Sequence, residues 1–367
     1  MTPTAENDIR TGIQRVVCSI VRALIEMDLP EYRIEPVYLS DKGGGWHYRY
    51  TRQWASQIMG RSSERAVNEP IDRAPSDFLL IVDFMSGGLY HVMLSGIYDD
   101  LRRDGVEIKT VTYDLLPILF PSYFPAENEV ELNHKLWLEA VFKLDGTVCI
   151  SKSVADELTV WAKKNTDADL SSFSIDWFHL GADIGSCVPT KGCPDDYLTT
   201  VGSIEQDISF LMVGTIEPRK GYAQSLAAFQ LIWDKGVDVN LVFVGKQGWN
   251  MNEFFDKIKS STEYNRKLFW LEGISDEYLE KIYEASSCLI AASEAEGLGL
   301  PLIGAAQYKL PIVARDIPVF REVATEYAFY FKDSQNPQDI AGAVTNWLEL
   351  NTKSKAPRSD DMPWLTW

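Results

Sequence analysis

The sequence predicts an α/β protein made of two doubly wound, mainly parallel-sheet domains. Three observations lead there. The chain has 367 residues, more than a single hydrophobic core usually organises. Its apolar content of 46% is enough to fill two cores. Short apolar runs alternate with longer amphipathic stretches throughout, the pattern of repeated strand and helix units.

In the first half the spacing predicts a helix over Gly12–Met27 and strands at Phe78–Phe84, Glu107–Tyr113, Gly146–Ser151 and Phe173–Leu180, with helices at Glu127–Leu144 and Ser153–Lys163 between them. The second half reads as strands at Phe210–Thr215, Asn240–Gly245, Leu268–Leu271, Cys288–Ala292 and Pro311–Ala314, each followed by a helix. Between the halves, residues 184–203 collect Gly, Pro, Ser and Asp with little periodicity, the composition of a linker. The expected division is an N-terminal domain over 1–188, a linker over 189–206, a C-terminal domain over 207–350 and a tail over 351–367. Gly43-Gly44-Gly45-Trp46 reads as a loop with aromatic company, Trp46, Tyr48 and Tyr50, suited to stacking on a sugar or, the preferred reading, to covering the core. The first long helix has no strand before it and the sequence stops on DMPWLTW, which fits a piece of a longer polypeptide.

Composition narrows the function classes. With 53 acidic against 35 basic side chains, the net charge is −18, so a counterion-releasing contact with nucleic acid is not expected. Five cysteines without a CxxC pair point to a reducing compartment. The histidines His47, His91, His134 and His179 are scattered and do not complete a zinc set with Cys187 and Cys193, so no metal is expected. No apolar run approaches the ~20 residues needed to span a bilayer, and MTPTAENDIR lacks a signal-peptide core. The expected location is cytoplasmic, compatible with peripheral association at the inner face of the cytoplasmic membrane.

Two motifs carry the chemistry. Phe210-Leu-Met-Val-Gly214-Thr-Ile-Glu-Pro-Arg219-Lys220-Gly221 runs from an apolar strand through a glycine turn into a helix expected to begin with Arg219 and Lys220. Free backbone N–H groups at a helix start attract an anion, and two cations there can neutralise a diphosphate. Basic side chains oppose the helix dipole at that end, so something should compensate them. The second motif, Ser293-Glu-Ala-Glu296-Gly297-Leu298-Gly299-Leu300-Pro301, follows a strand. Its glycines permit close backbone approach and Pro301 suits the first turn of a helix, while Glu296 can accept hydrogen bonds from sugar hydroxyls.

Together with Val244-Gly245-Lys246 and Gly273-Ile274-Ser275-Asp276, these motifs resemble the retaining GT-B glycosyltransferases of family 4, over nearly the whole C-terminal half and in the same order. The resemblance implies two Rossmann-like domains facing a cleft. It also implies a nucleotide-sugar donor as co-substrate, a glycan or lipid-linked glycan acceptor, and no metal or other cofactor. It assigns the donor diphosphate to Arg219 and Lys220, the nucleobase to Gly273 and Ile274, and the donor sugar to Glu296, with Gly214, Gly297, Leu298 and Gly299 shaping the donor site. The family's second glutamate, which contacts the ribose, should stand at 304, where this chain has Gly304. Losing such a partner costs roughly 1.5–3 kcal/mol, so Gly304→Glu is expected to strengthen donor binding.

The N-terminal half adds weaker signals. Asp8-Ile-Arg-Thr-Gly12-Ile-Gln-Arg15 is similar to the loop that opens the first helix in the family's bacterial polysaccharide subgroup, which makes Gly12 and Arg15 candidates for the donor phosphates. A capped amphipathic helix is the plainer alternative. Thr112-Tyr113-Asp114-Leu-Leu-Pro117 resembles the family's "HDL-P" string with Tyr113 in place of His. Asp114 can orient an acceptor hydroxyl or serve as a loop cap. The resulting expectation is a retaining transfer of a hexose, with mannose from GDP-mannose the first candidate, onto a surface polysaccharide such as O-antigen. The alternatives are a non-catalytic domain of a glycan-assembly protein and an epimerase of the same architecture.

Overall fold

A computed structural model describes residues 12–60, 68–166, 170–181 and 192–365. These divide into two compact units, one built from 12–121 and 126–181, the other from 122–125 and 192–365. The boundary expected near 188 lies outside the described residues.

The first unit opens with α1 (Gly12–Glu26), whose apolar face buries Val16, Val17, Ile20 and Val21. A hairpin follows, β1 (Val37–Ser40) paired antiparallel with β2 (His47–Tyr50), and the glycine-rich stretch forms its connection. Sequence periodicity alone did not mark this hairpin, whose strand His47–Tyr50 is not an apolar run. Tyr48 and Tyr50 are buried and cover the core, whereas Trp46 of the glycine loop is exposed. After α2 (Arg52–Ile58) comes a parallel sheet of β3 (Phe78–Ile81), β4 (Glu107–Thr112), β5 (Gly146–Cys149) and β6 (Ser174–Trp177) in sequential order. Its helices are α3 (Gly88–Leu94), α4 (Ile97–Arg103), α5 (Leu116–Leu119), α6 (Val130–Val141) and α7 (Lys152–Asn165).

The second unit contains α8 (Tyr197–Gln206), β7 (Ser209–Val213), α9 (Tyr222–Trp233), β8 (Asn240–Val244), α10 (Asn252–Ser260), β9 (Leu268–Leu271) and α11 (Asp276–Ala285). It continues with β10 (Cys288–Ala291), α12 (Leu300–Gln307), β11 (Ile312–Arg315), α13 (Pro318–Ala324), β12 (Ala328–Phe331) and α14 (Pro337–Thr352). Its strands are parallel in the order β12-β11-β10-β7-β8-β9. Apolar strands such as β8, buried along its whole length, fit a sheet covered on both faces. The strand order reverses between β7 and β10. At such a point the loops leaving the two strands diverge and open a crevice at the carboxyl edge, the usual ligand position in open α/β sheets.

Two expectations are corrected here. The stretch read as a linker includes α8, whose Tyr197 packs edge-on against Tyr278 of α11 with ring centroids 6.0 Å apart. Val201 and Ile204 are buried, so this apolar face makes it part of the second unit. The tail is also part of that unit. Ser359 is buried and donates to the Leu310 carbonyl at 2.8 Å, and Met362 is buried.

Candidate active site

The loops after β7 and β10 flank the strand-order reversal and hold the residues singled out in the sequence. Arg219 and Lys220 do not begin α9, contrary to expectation. They lie in a 3-10 turn, Pro218–Lys220, and Gly221 separates them from the helix in a left-handed conformation at φ 72°. The cause is close packing between the two loops. A Cβ on Gly221 would lie 2.4 Å from the Ala292 carbonyl oxygen, so the crossing requires glycine. The backbones are also bonded, with the Glu294 N–H donating to the Arg219 carbonyl at 2.8 Å.

This crossing brings the charges together. Lys220 Nζ donates to Glu296 Oε1, and Arg219 lies 3.2 Å from Glu296 Oε2 and 3.2 Å from Glu217 Oε2. Arg219 also donates to the Ala295 carbonyl at 2.9 Å. All four side chains are largely buried, between 8% and 14% exposed. Two carboxylates therefore neutralise two cations in a poorly solvated place, which answers why basic residues stand ahead of a helix. Burial raises the Glu296 pKa. The Lys220 and Arg219 charges, with hydrogen bonds from Lys220 and Ser293, outweigh it and bring the group down to about 2. Glu296 is a carboxylate at any physiological pH. A pocket lined by Lys220, Tyr222, Ser293, Glu296, Pro301 and Phe320 opens beside this cluster.

Gly214 ends the β7 turn, and its carbonyl accepts from the buried Tyr222 hydroxyl at 2.7 Å. Gly297, Leu298 and Gly299 lead into α12, with Pro301 in its first turn as expected. Gly273 and Ile274 follow β9 ahead of α11, whose start is capped by Ser275 accepting from the Tyr278 N–H at 3.2 Å. Gly304 lies within α12, and there the structure changes the expectation for glutamate. A Cβ at 304 would lie 2.7 Å from the Tyr283 hydroxyl oxygen and 3.1 Å from the ring carbon bearing it. Tyr283 is 3% exposed and stacks on Tyr308 at 5.1 Å with an interplanar angle of 8°. A tyrosine fills the space beside Gly304, so Gly304→Glu strains the packing before any carboxylate can reach a ligand.

The first unit holds the other candidates. Gly12 is exposed at the start of α1 and Arg15 is part-buried on it, while Asp8–Thr11 lie outside the described residues. Asp114 follows β4. Its Oδ1 accepts from the Leu116 N–H at 3.1 Å, the geometry of a loop cap, and its carbonyl accepts from His134 Nε2 at 3.1 Å. Tyr113, in the position of the resembled family's His, is buried and donates to the Val82 carbonyl at 2.6 Å. Glu157 on α7 is the residue that sequence reasoning missed. Burial, reinforced by the Asp114 charge, pushes its pKa up to about 7. A glutamate on an amphipathic helix gives no sequence signal of this kind.

A strand-order reversal flanked by paired cations and a buried carboxylate defines a doubly wound domain suited to a phosphate-bearing ligand. Residues 199–360, within the second unit, match the model of the family of glycosyl transferases group 1. Over 366 residues the chain is 40% identical to the serotype-specific mannosyltransferase WbdA of Escherichia coli, covering 99% of this chain and 42% of that protein. The chain thus spans less than half the length of the curated relatives it matches so extensively. It is also 29% identical over 135 residues to the O-antigen chain mannosyltransferase RfbU of Salmonella typhimurium, covering 37% of this chain and 36% of that protein. Among solved structures, Anabaena HepE in complex with UDP and glucose superposes with a TM-score of 0.57 at 12% identity, covering 78% of this chain and 72% of that one. The catalytic domain of starch synthase IV from Arabidopsis thaliana gives 0.55 at 12% identity, covering 95% and 90%. These likenesses place the fold in the GT-B class.

Proposed function

We propose that this chain transfers a hexose, mannose first, from a nucleoside-diphosphate sugar to a hydroxyl of a growing surface polysaccharide, with retention of configuration and without a metal ion. The observation that carries the reading is the Arg219–Lys220–Glu296 cluster at the strand-order reversal, supported by 40% identity with a mannosyltransferase over 99% of the chain. The cluster suggests an exchange of partners. An arriving diphosphate accepts hydrogen bonds from Lys220 and Arg219, whose desolvation has already been met by Glu296. Glu296, released from one or both cations, accepts from the hydroxyls of the donor sugar. As the bond from the anomeric carbon to the diphosphate oxygen breaks, the acceptor oxygen bonds to that carbon on the same face and its proton passes to the departing phosphate, whose growing charge the preorganised cations in a dry site stabilise. The acceptor is a glycan or lipid-linked glycan, and the work is done on the cytoplasmic side.

The test is incubation with GDP-mannose, UDP-glucose and other nucleotide sugars plus a short mannoside acceptor. Transfer from GDP-mannose, an α-anomeric product and full activity after chelation are expected. Absence of both transfer and donor hydrolysis with every donor overturns the reading. Gly304 favours one other reading, a domain that has lost turnover. Calorimetric binding of a nucleotide sugar without turnover would select it.

A further inference from the structure

Arg315 ends β11 at the carboxyl edge of the second sheet, and its side chain is completely buried. A buried fixed charge is costly unless its N–H groups are matched, so its partners report what the position serves. Nε donates at 3.0 Å to the carbonyl of Ala292, the residue directly before the Ser293–Glu296 segment. One terminal nitrogen donates to Asp333 Oδ1 at 3.2 Å and to the Ser334 carbonyl. The other donates to Oε1 of Gln224, which stands on the first turn of α9, just past Lys220. Gln224 in turn donates to the carbonyls of Ser334 and Asn336 at 2.9 and 3.0 Å. Between those two residues, Gln335 donates to Glu294 Oε2 at 3.0 Å. A single guanidinium therefore ties together the loop carrying Glu296, the loop after β12 and the helix that follows Lys220.

We infer that Arg315 is a positioning residue that fixes how Glu296 meets Arg219 and Lys220. Its functional consequence rests on the donor-phosphate reading; its structural effect does not. Lysine cannot substitute, because three of these loop contacts need a planar fork with N–H groups in several directions, whereas an ammonium is one compact charge on a flexible stem. Displacing a reacting geometry by about 1 Å is enough to cost on the order of a hundredfold in rate.

The experiment uses Arg315→Lys in the whole chain with two readouts. Hydrogen exchange without ligand reports the Glu294 amide, which donates to the Arg219 carbonyl. It is expected to exchange about tenfold faster in the variant while amides of β7 and β8 keep their rates, as for a local rather than global opening. Calorimetry with GDP is expected to show unchanged stoichiometry and a Kd raised about tenfold, ~1.4 kcal/mol. Exchange at Glu294 equal to the parent overturns the inference. So does a uniform acceleration across the sheet with reduced stoichiometry and unchanged Kd, the signature of mere destabilisation. Gln224→Leu removes one arm of the network and keeps the buried charge. It should move both readouts the same way by roughly threefold, and no movement there overturns the inference even if Arg315→Lys fails to fold. If the parent protein binds no nucleoside diphosphate, the phosphate assignment falls, and the exchange result alone decides the role of Arg315.

Discussion

The two units hold a carboxyl group in opposite electrostatic surroundings. In the second unit a carboxylate, Glu296, is buried against two cations and held down at about 2. In the first unit a carboxyl, Glu157, is half-buried near another acid and pushed up to about 7. Burial opposes charge in both places. What differs is the neighbour. The site in the second unit is built to keep charge and exchange ionic partners, which suits a diphosphate. The first unit holds a carboxyl whose charge both burial and a neighbouring acid oppose, so it sheds its proton only near neutrality.

The largest expected effect comes from removing a cation from the second unit. Lys220→Ala should lower transfer from the nucleotide sugar at least about a hundredfold, the usual cost of deleting a charge-stabilising group. Arg219 still pairs with Glu217 and Glu296 in that variant, so the far-ultraviolet circular dichroism should be retained. Unchanged turnover would remove the phosphate assignment and with it the contrast between the two units.

Glu296→Gln tests the same site through stability. It leaves Arg219 and Lys220 with one carboxylate, Glu217, and should cost about 3 kcal/mol at pH 7. The pH dependence has a definite sign. The folded-state pKa lies below the ordinary 4.5, so the stabilisation is fully present above 4.5 and is lost as pH falls toward about 2. Denaturant unfolding at pH 7, 4.5 and 3.5 should show the gap between parent and variant closing as the solution becomes more acid. A constant gap would mean that Glu296 contributes by packing and not by charge.

The contrast between the units also explains what was legible. Arg219, Lys220 and Glu296 stand in short motifs, each directly after an apolar strand, so sequence order already places them at one sheet edge. Their mutual pairing was not legible, because it depends on Gly221 letting two loops cross. Gly304 was legible as a gap but not as a filled one, since Tyr283 comes from a different helix. Arg315 stands one residue past the predicted strand Pro311–Ala314 and carries no signal of its own in the sequence. Only the fold shows that its side chain turns inward to join segments some twenty and ninety residues away in sequence. In the first unit, Asp114 was visible as a loop residue, whereas Glu157 depends on a helix packing beside it.

Gly304→Glu has a smaller effect, opposite to what the sequence alone suggests. The new Cβ meets the Tyr283 hydroxyl at 2.7 Å, and overpacking of this kind costs about 1–3 kcal/mol. A lower melting temperature without tighter GDP-mannose binding is expected. If Tyr283 is the obstruction, Gly304→Glu should cost less when made in a Tyr283→Ala background than in the parent. Tighter donor binding in the single variant would show that Tyr283 yields readily and that the ribose was waiting for an acid.

The smallest effect, and the one that sets the two units most directly against each other, belongs to Glu157→Gln. The folded-state pKa of Glu157 is raised from 4.5 to about 7 by burial and then by Asp114. Its protonated form therefore favours the fold below 4.5, and that contribution is lost as pH rises through 7, the reverse of Glu296. Glutamine keeps the shape and never ionises. The variant should melt close to the parent at pH 5 and clearly above it at pH 8, the gap widening as pH rises from 4.5 through 7. In transfer assays the acid limb of the rate profile should flatten if this group, as its carboxylate, takes the proton of the acceptor hydroxyl. A variant that melts lower than the parent at pH 8 would show instead that the charged form is held by a partner, and the two units would then be alike.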